Sequence, residues 1–398
     1  MQGEPEIPFV DHDYAATAGD RLLSLIKRLV PSPEARHRQL ANFAKWAPFV
    51  PFKPLPKIPY GMRAKKPLER VIRFSDKSNP LYLNCPIILA AGGNKEGTDL
   101  AAYANIGFGG VSVGTATRVP REGNPFRPRI RMLNADRAIQ NSMGLNNPGI
   151  DVVAKRVDSQ FGAARKRELA VGLSIAETPG LQDEEERLDD VIYSFRKAYN
   201  VAEYVEINLS CPNTGHQRID AQLKYLDRVL QSVMHIRSSI PVRKAVYAKL
   251  SPDLGERQLQ ALLELVTQHN INGLVLFNTF PGARSEFLEM QTRPDALKPV
   301  RQDGDLGGLS GRPLYVNTFR AVEYIKNRLP DKSIIAVGGI DHGAKVFDLL
   351  RMGADAVQMY SALSYRWFAA RRMQAELYEC LEKSGCSTLS ELLDGERP

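Results

Sequence analysis

The chain has 398 residues, of which 53 are Lys or Arg and 45 are Asp or Glu, so its net charge is +8. With 43% apolar residues, 25% charged residues and four cysteines, the composition is globular and excludes a disordered, collagenous or disulfide-stapled chain. No run of 18 apolar residues occurs and acidic residues open the chain, so neither a membrane-spanning helix nor a secretory signal is expected.

The N-terminal part of the chain, residues 1–60, is predicted to be a helical segment distinct from the remainder, 61–398. The sequence RLLSLIKRLV at 21–30 places apolar side chains on one face of a helix and basic ones on the other. Ser-Pro at 32–33 starts a second helix, and five prolines within 48–59 form an extended linker. This helix pair is expected either to pack on the rest of the protein or to act as a lid that contacts lipid.

Positive charge is concentrated in residues 21–80, which overlap this segment and extend into the start of the remainder. Residues 21–80 hold 14 Lys and Arg against 3 Asp and Glu, whereas residues 1–20 carry five acidic residues and no basic one. The rest of the chain is therefore close to neutral. This distribution favours an anionic membrane surface as a partner and argues against a nucleic acid.

From residue 86 onward, eight short apolar runs alternate with helix-length segments. The runs are rich in Val and Ile and bounded by Gly, Asn, Ser or Pro, which is typical of strands buried on both faces. Eight such units predict an α/β fold, a (β/α)8 TIM barrel, with 71–74 and 81–83 as a hairpin that closes its floor. A doubly wound sheet is the alternative, disfavoured because no GxGxxG follows the first strand. The runs are 86–89, 110–114, 169–173, 204–209, 245–250, 273–277, 333–337 and 356–360.

Polar residues and glycines follow these strands at the rim where barrels build active sites. They are Ala91, Gly92, Lys95, Thr115, Ser174, Asn208, Cys211, Asn213, Lys249, Asn278, Thr279, Gly338, Gly339, Tyr360 and Ser361. Two insertions of unusual length, one containing 141–149 and the other 307–311, are also expected to have a function.

The rim chemistry favours an anionic, planar ligand. Gly338-Gly339 and Tyr360-Ser361 lie where barrels bind phosphate through backbone N–H groups. Lys249 could add a fixed positive charge, and a phosphate joined to a ring such as reduced flavin would use both features.

Asparagines and a cysteine complete the rim. Asn141, Asn208, Asn213 and Asn278 offer donors and acceptors that suit a ligand with carbonyls, ring N–H groups and a carboxylate. Cys211 can act as a general base near neutral pH where its surroundings favour the thiolate. Taken singly, each asparagine could instead lie in a turn or cap a helix, and the cysteine could be an inert buried thiol.

With these residues, the chain resembles the dihydroorotate dehydrogenases, the FMN enzymes of pyrimidine synthesis. The motifs that carry the resemblance are AAGGNK (90–95), EGNP (122–125), NSMGLN (141–146), NLSCPNT (208–214), KLSPD (249–253), GGLSG (307–311) and VGGI (337–340). The resemblance implies oxidation of dihydroorotate to orotate, with a hydride passed to FMN.

The resemblance also implies residue roles. Cys211 matches the base that removes the C5 proton of dihydroorotate. The FMN site is implied to include Ala91, Lys95, Thr115, Ser174, Asn208, Lys249, Gly311, Gly339, Tyr360 and Ser361. The substrate site is implied to include Lys95, Asn141, Asn208, Asn213, Asn278 and Thr279. No metal is implied.

The sequence alone leaves the identity of the electron acceptor open. The N-terminal helix pair resembles the quinone-tunnel segment of the membrane-associated branch, which predicts a quinone and a peripheral membrane location, on the cytoplasmic side in a bacterium. Cys211 is instead typical of the soluble branch, which predicts oxidation of dihydroorotate or a related dihydropyrimidine with fumarate or NAD in the cytoplasm. The chain also departs from the family pattern at Met132, Ser174 and 93–94, and the altered flavin-site positions leave open a third possibility, a barrel that binds a ligand without turnover.

Overall fold

In a computed structural model of the protein, the described residues are 67–125, 128–209, 219–281, 307–366 and 368–395. The predicted helix pair of 1–60, together with Cys211 and Asn213, lies outside them. The strands are β1 (Arg70–Ile72), β2 (Leu81–Leu83), β3 (Ile87–Asn94), β4 (Gly110–Ala116), β5 (Ile130–Leu133), β6 (Ala138–Asn141), β7 (Ala170–Ile175), β8 (Tyr204–Asn208), β9 (Ala245–Leu250), β10 (Gly273–Leu276), β11 (Phe280–Pro281), β12 (Gly308–Gly311), β13 (Ser333–Val337) and β14 (Ala356–Met359).

Eight of these strands close into a parallel barrel in the order β3, β4, β7, β8, β9, β10, β13 and β14, with β14 paired back to β3. The predicted (β/α)8 fold is thus confirmed. The largest boundary difference is in β3, which continues through the small residues of AAGGN to Asn94. A register shift between Leu89 and Asn94 lets this extension pair with β4.

Helices cover the outside of the barrel. They are α1 (Leu100–Asn105), α2 (Ile150–Lys166), α3 (Glu184–Val201), α4 (Ile219–Ser238), α5 (Glu256–Gln268), α6 (Tyr315–Arg328), α7 (Gly343–Arg351), α8 (Ser361–Tyr365), α9 (Ala369–Lys383) and α10 (Leu389–Gly395). Their apolar faces recur at helical spacing, as at Leu262, Leu263 and Val266, and pack on the outward side chains of the strands. At the start of α3, the Asp183 carboxylate accepts a hydrogen bond from the Glu186 backbone N–H at 2.9 Å, which caps the helix.

The predicted floor hairpin is confirmed, with β1 antiparallel to β2 and Ile72 opposite Leu81. Its first strand begins at Arg70, one residue earlier than expected. Apolar side chains of the hairpin pack against Tyr204 and Tyr247, whose rings meet edge to face at a centroid distance of 5.8 Å. The hairpin therefore seals the amino-terminal end of the barrel and leaves the other end open.

Successive side chains of a barrel strand alternate between the interior and the helices. On β8, Val205 and Ile207 belong to the core beneath the helices. Tyr204 belongs to the floor cluster, so Glu206 and Asn208 face the interior with it. A Cβ atom at Gly172 would lie 2.1 Å from the Tyr204 ring, so this position needs glycine.

A second, four-stranded antiparallel sheet, in the order β11-β12-β6-β5, stands on the open end of the barrel. The sequence predicted functional insertions here but not that they pair with each other. Gly308 on β12 lies opposite Asn141 on β6 and also pairs with Pro281 on β11. One strand therefore joins the two insertions over the barrel mouth.

No helix in the described part of the chain combines the length and apolar character needed to cross a bilayer.

Candidate active site

A cavity of about 810 Å³ lies at the carboxyl ends of the barrel strands, under the second sheet. Its walls bring together most of the residues predicted for the site. Those that line it are Ala91, Lys95, Thr115, Asn141, Asn208, Lys249, Asn278, Thr279, Gly311, Gly339, Tyr360 and Ser361. Because these residues come from separate parts of the chain, the barrel and the second sheet together assemble the cavity.

Three predicted residues are not part of the described wall. Ser174 is fully buried, and its hydroxyl is hydrogen-bonded to that of Thr115 at 3.0 Å, so Thr115 stands between it and the cavity. Cys211 and Asn213 lie outside the described residues. Their roles, like those of the other site residues, stay predictions.

One end of the cavity is a glycine-rich cradle. Gly311 and Gly339 have φ values of 110° and 70°, a region that L side chains rarely adopt. A Cβ atom at Gly339 would lie 2.4 Å from the Tyr315 backbone nitrogen, so the chain here can accept no side chain without moving. Ser361 closes the cradle, with its hydroxyl 2.9 Å from that of Ser310.

Charged side chains flank this cradle. The Lys345 ammonium donates to the Gly339 carbonyl at 3.0 Å and to Asp341 at 2.8 Å. Arg312 donates to the second oxygen of Asp341 at 3.0 Å. Burial alone would raise the pKa of Asp341, but the two cations lower it overall. Because two cations surround one carboxylate, these three side chains carry a net positive charge, which would favour an anionic ligand at this end of the cavity.

The opposite wall is built from amides and a lysine. Asn278 donates to the Asn208 side-chain oxygen at 3.5 Å, and Asn141 donates to the Gly308 carbonyl at 3.2 Å. The Lys95 ammonium donates to the Asn146 side chain at 2.7 Å. Because β12 pairs with both β6 and β11, it carries Asn141 to the wall that holds Asn278. Such a wall can recognise carbonyls, ring N–H groups and a carboxylate together.

Lys249 lies deeper, between these two ends. Its side chain is only 4% exposed yet lines the cavity. Loss of hydration lowers the pKa of Lys249, and the negative charge of Glu206 acts in the opposite direction. A cation held in this way can stabilise negative charge that develops on a bound ring.

An apolar wall adjoins Tyr360. Ile130, Ile139 and Met143 form a small core cluster against which Met132 and Tyr365 pack. Tyr365 is fixed by its hydroxyl, which donates to the Ala138 carbonyl at 2.6 Å. The wall offers a flat, largely apolar ligand a contact surface.

Sequence reasoning missed a buried cluster at the cavity edge. Arg187 on α3 donates to Glu177 at 2.8 Å and stacks over the Tyr225 ring at 4.1 Å, while the Tyr225 hydroxyl donates to the other Glu177 oxygen at 2.8 Å. The three residues come from a strand end and two helices. No spacing in the sequence marks such a cluster.

The fold and the cavity define a barrel enzyme whose rim cavity has a glycine-rich cradle at one end, a polar wall of amides and a lysine, and an apolar wall beside Tyr360. The sequence profile described as dihydroorotate dehydrogenase matches residues 77–381. This chain is 32% identical over 286 residues to the "dihydroorotate dehydrogenase (quinone)" of Brucella anthropi. The matched region covers 71% of this chain and 73% of that protein. A protein of the same name from a Bradyrhizobium species is 32% identical over 339 residues, 84% of this chain and 88% of its own length.

Solved structures agree with the sequence matches. The structure of DHODH from Eimeria tenella in complex with ferulenol aligns with a TM-score of 0.74 at 26% identity, over 92% of this chain and 96% of that one. The ligand-free form from the same organism gives the same TM-score at 27% identity and is covered completely. The chain belongs to the dihydroorotate dehydrogenase family.

Proposed function

We propose that this protein oxidises dihydroorotate to orotate with FMN as its bound cofactor and a quinone as the electron acceptor. The observation that carries the proposal is that one cavity joins a glycine cradle, a buried lysine and an amide wall. The relatives named above are quinone-type dihydroorotate dehydrogenases.

The cradle fits the phosphate of FMN. Gly311 and Gly339 line the cavity and carry no side chains, so a phosphate there can approach their backbone. Arg312 and Lys345 supply positive charge beside it. Tyr360, Thr115 and Lys249 line the path inward, where the ring would lie. Bound FMN would accept the hydride and pass the electrons on.

The amide wall supports the substrate assignment. Dihydroorotate carries a carboxylate, two carbonyls and two ring N–H groups. Lys95 can hold the carboxylate, while Asn141, Asn208, Asn278 and Thr279 can match the ring, with Asn213 added from the following segment. Holding the substrate in one orientation fixes the C5 proton relative to Cys211, which we assign as the base.

The acceptor assignment draws on the apolar wall. A quinone ring is mostly apolar, and so is the part of the cavity wall formed by Ile130, Ile139, Met143 and Tyr365. Fumarate and NAD are anions and would gain little from such a surface. Access from a membrane would come through residues 1–60, which we propose make peripheral contact with anionic lipid.

The test is a two-stage assay on the purified, flavin-loaded protein. Dihydroorotate is added anaerobically and the loss of flavin absorbance is followed, and then a quinone, fumarate or NAD is offered in separate samples. We expect reduction by dihydroorotate and fast reoxidation by the quinone alone. Protein that holds no flavin, or flavin that dihydroorotate leaves oxidised, would refute the activity, and preferential reoxidation by fumarate or NAD would refute the acceptor.

A further inference from the structure

A layer of buried polar side chains crosses the barrel interior directly below the cavity. Ser112, Glu206 and Gln358 are fully buried there. One oxygen of Glu206 accepts a hydrogen bond from the Ser112 hydroxyl at 2.5 Å and another from the Gln358 amide. The Tyr204 hydroxyl, 2.7 Å from that of Ser112, ties the layer to the aromatic floor. An acidic side chain at this depth is unfavourable unless something compensates for its lost hydration.

The barrel register places Glu206 one inward-facing layer below Lys249. Asn208 on β8 lies opposite Lys249 on β9, and Glu206 precedes Asn208 by two residues on the same inward face. Lys249 lines the cavity and Glu206 does not, so the lysine is the group that can face a bound ligand. Glu206 is thus one layer deeper than the ammonium group.

The two buried charges balance each other. Desolvation lowers the pKa of Lys249, and the carboxylate of Glu206 raises it. Tyr204 and Tyr247 also face the interior, but burial raises their pKa values, so both are neutral at pH 7. Within the described part of the barrel interior, Glu206 is therefore the negative charge that favours the charged form of Lys249.

We propose that Glu206 is a positioning residue that acts on the flavin through Lys249, by keeping the ammonium charged beneath the ring. The inference deepens the proposed function, since it assumes a flavin in the cavity. Reduction adds negative charge to the flavin ring, and Lys249 stabilises that charge. Glu206 by itself would oppose it, because like charges repel. The nearer lysine dominates as long as it carries its proton.

This balance predicts that Glu206→Gln shifts the flavin midpoint potential in opposite directions in the natural protein and in a Lys249→Met variant. Glu206→Gln in the natural protein removes the support of Lys249, so we expect reduced flavin to bind about tenfold less tightly relative to oxidised flavin. That factor is about 30 mV of two-electron midpoint potential, in the downward direction. In a Lys249→Met background only the direct repulsion remains, so the same substitution should raise the potential.

The experiment measures the flavin midpoint potential by spectroelectrochemistry for the natural protein, the two single variants and the double variant. Glu203→Gln is the matched control. Glu203 precedes β8 at the floor end of the barrel, where its carboxylate accepts from the Val171 backbone N–H at 2.8 Å, so its loss should leave the potential unchanged. The unfolding free energy of the flavin-free proteins gives a second readout, in which Glu206→Gln should restore stability to Lys249→Met.

Equal shifts in both backgrounds, or no shift in either, would overturn the proposal. Failure of the Glu206→Gln protein to fold in both backgrounds would also overturn it, since the role would then be structural. The potential is measured without substrate or acceptor. A protein that binds no flavin therefore contradicts the proposed function, whereas normal flavin binding with unshifted potentials contradicts this inference alone.

Discussion

At the scale of single residues, Cys211 carries the chemistry of the proposed reaction although it lies outside the described residues. It follows Asn208 by three positions in the chain, and Asn208 lines the cavity. This closeness in sequence supports the proposal that its thiol is the base.

Cys211→Ser is expected to slow flavin reduction by dihydroorotate about a hundredfold at pH 7, because a serine hydroxyl loses its proton far less readily than a thiol. The rate should recover partly as the pH rises. Stopped-flow absorbance of the flavin under single-turnover conditions measures this step. Cys380→Ser, at a half-buried free thiol on α9, is the matched control and should leave the rate unchanged. An undiminished rate in Cys211→Ser would exclude the thiol as the base.

The sequence revealed residues at strand ends but not those inside the barrel. Asn208 and Lys249 could be predicted because a polar residue that ends an apolar run is a local pattern. Glu206 lies inside such a run and could not be predicted, since its partners Ser112 and Gln358 are 94 and 152 residues away in the chain. Local patterns carry no information about which distant side chains will share one layer of a barrel.

At the scale of elements, a buried ion pair fixes the floor hairpin to the barrel. Between β1 and β2, Asp76 accepts a hydrogen bond at 2.6 Å from Arg237, near the end of α4, and both side chains are almost fully buried. Ser78 bonds to both partners, and Arg237 also donates to the Lys244 carbonyl at 2.9 Å. Burial alone would raise the pKa of Asp76, but hydrogen bonds from Ser78 and Arg237 lower it overall.

Asp76→Asn should lower the free energy of unfolding by about 3 kcal/mol at pH 7, because it leaves the Arg237 guanidinium without its buried counter-charge. Because the pKa of Asp76 is lowered in the folded protein, its carboxylate stabilises the fold fully at pH values above its pKa in the unfolded chain, which is about 4. This contribution is lost as the pH falls through the pKa of the folded protein. In the Asp76→Asn variant, the free energy of unfolding should therefore fall less steeply as the pH is lowered.

Urea denaturation between pH 7 and pH 3 tests both expectations. Asp189→Asn is the control, because its ion pair with Arg118 is exposed and should contribute less than about 1 kcal/mol. Equal effects of the two substitutions would contradict the role assigned to the Asp76 pair.

The elements themselves were predictable to different degrees. Buried parallel strands follow from short apolar runs, which is why the eight barrel strands and the helix-length segments between them could be predicted. The second sheet was not predicted, because its strands lie outside the apolar runs and its pairing joins Asn141 to Gly308 across 167 positions. No local pattern in the sequence indicates which distant segment such a strand will pair with.

At the scale of the whole molecule, charge and surface chemistry are unevenly divided. The excess of basic residues lies in 21–80, and the remainder of the chain is nearly neutral. The barrel can complete the substrate chemistry with residues on its own rim. Delivery of electrons to a lipid-soluble acceptor requires contact with the membrane, for which the basic residues within 21–60 are suited.

Deletion of residues 1–60 should therefore abolish turnover with a membrane quinone while flavin reduction by dihydroorotate continues at the natural rate. Cosedimentation with anionic vesicles should be lost as well, and in the full chain it should weaken as salt is raised. A full-length variant with Arg21, Lys27 and Arg28 replaced by Gln is the matched control. It should lose vesicle binding but keep turnover with a quinone in detergent, because the apolar face of the helix remains. Unchanged quinone turnover after the deletion would show that the barrel alone receives the acceptor, and would remove residues 1–60 from the proposed electron path.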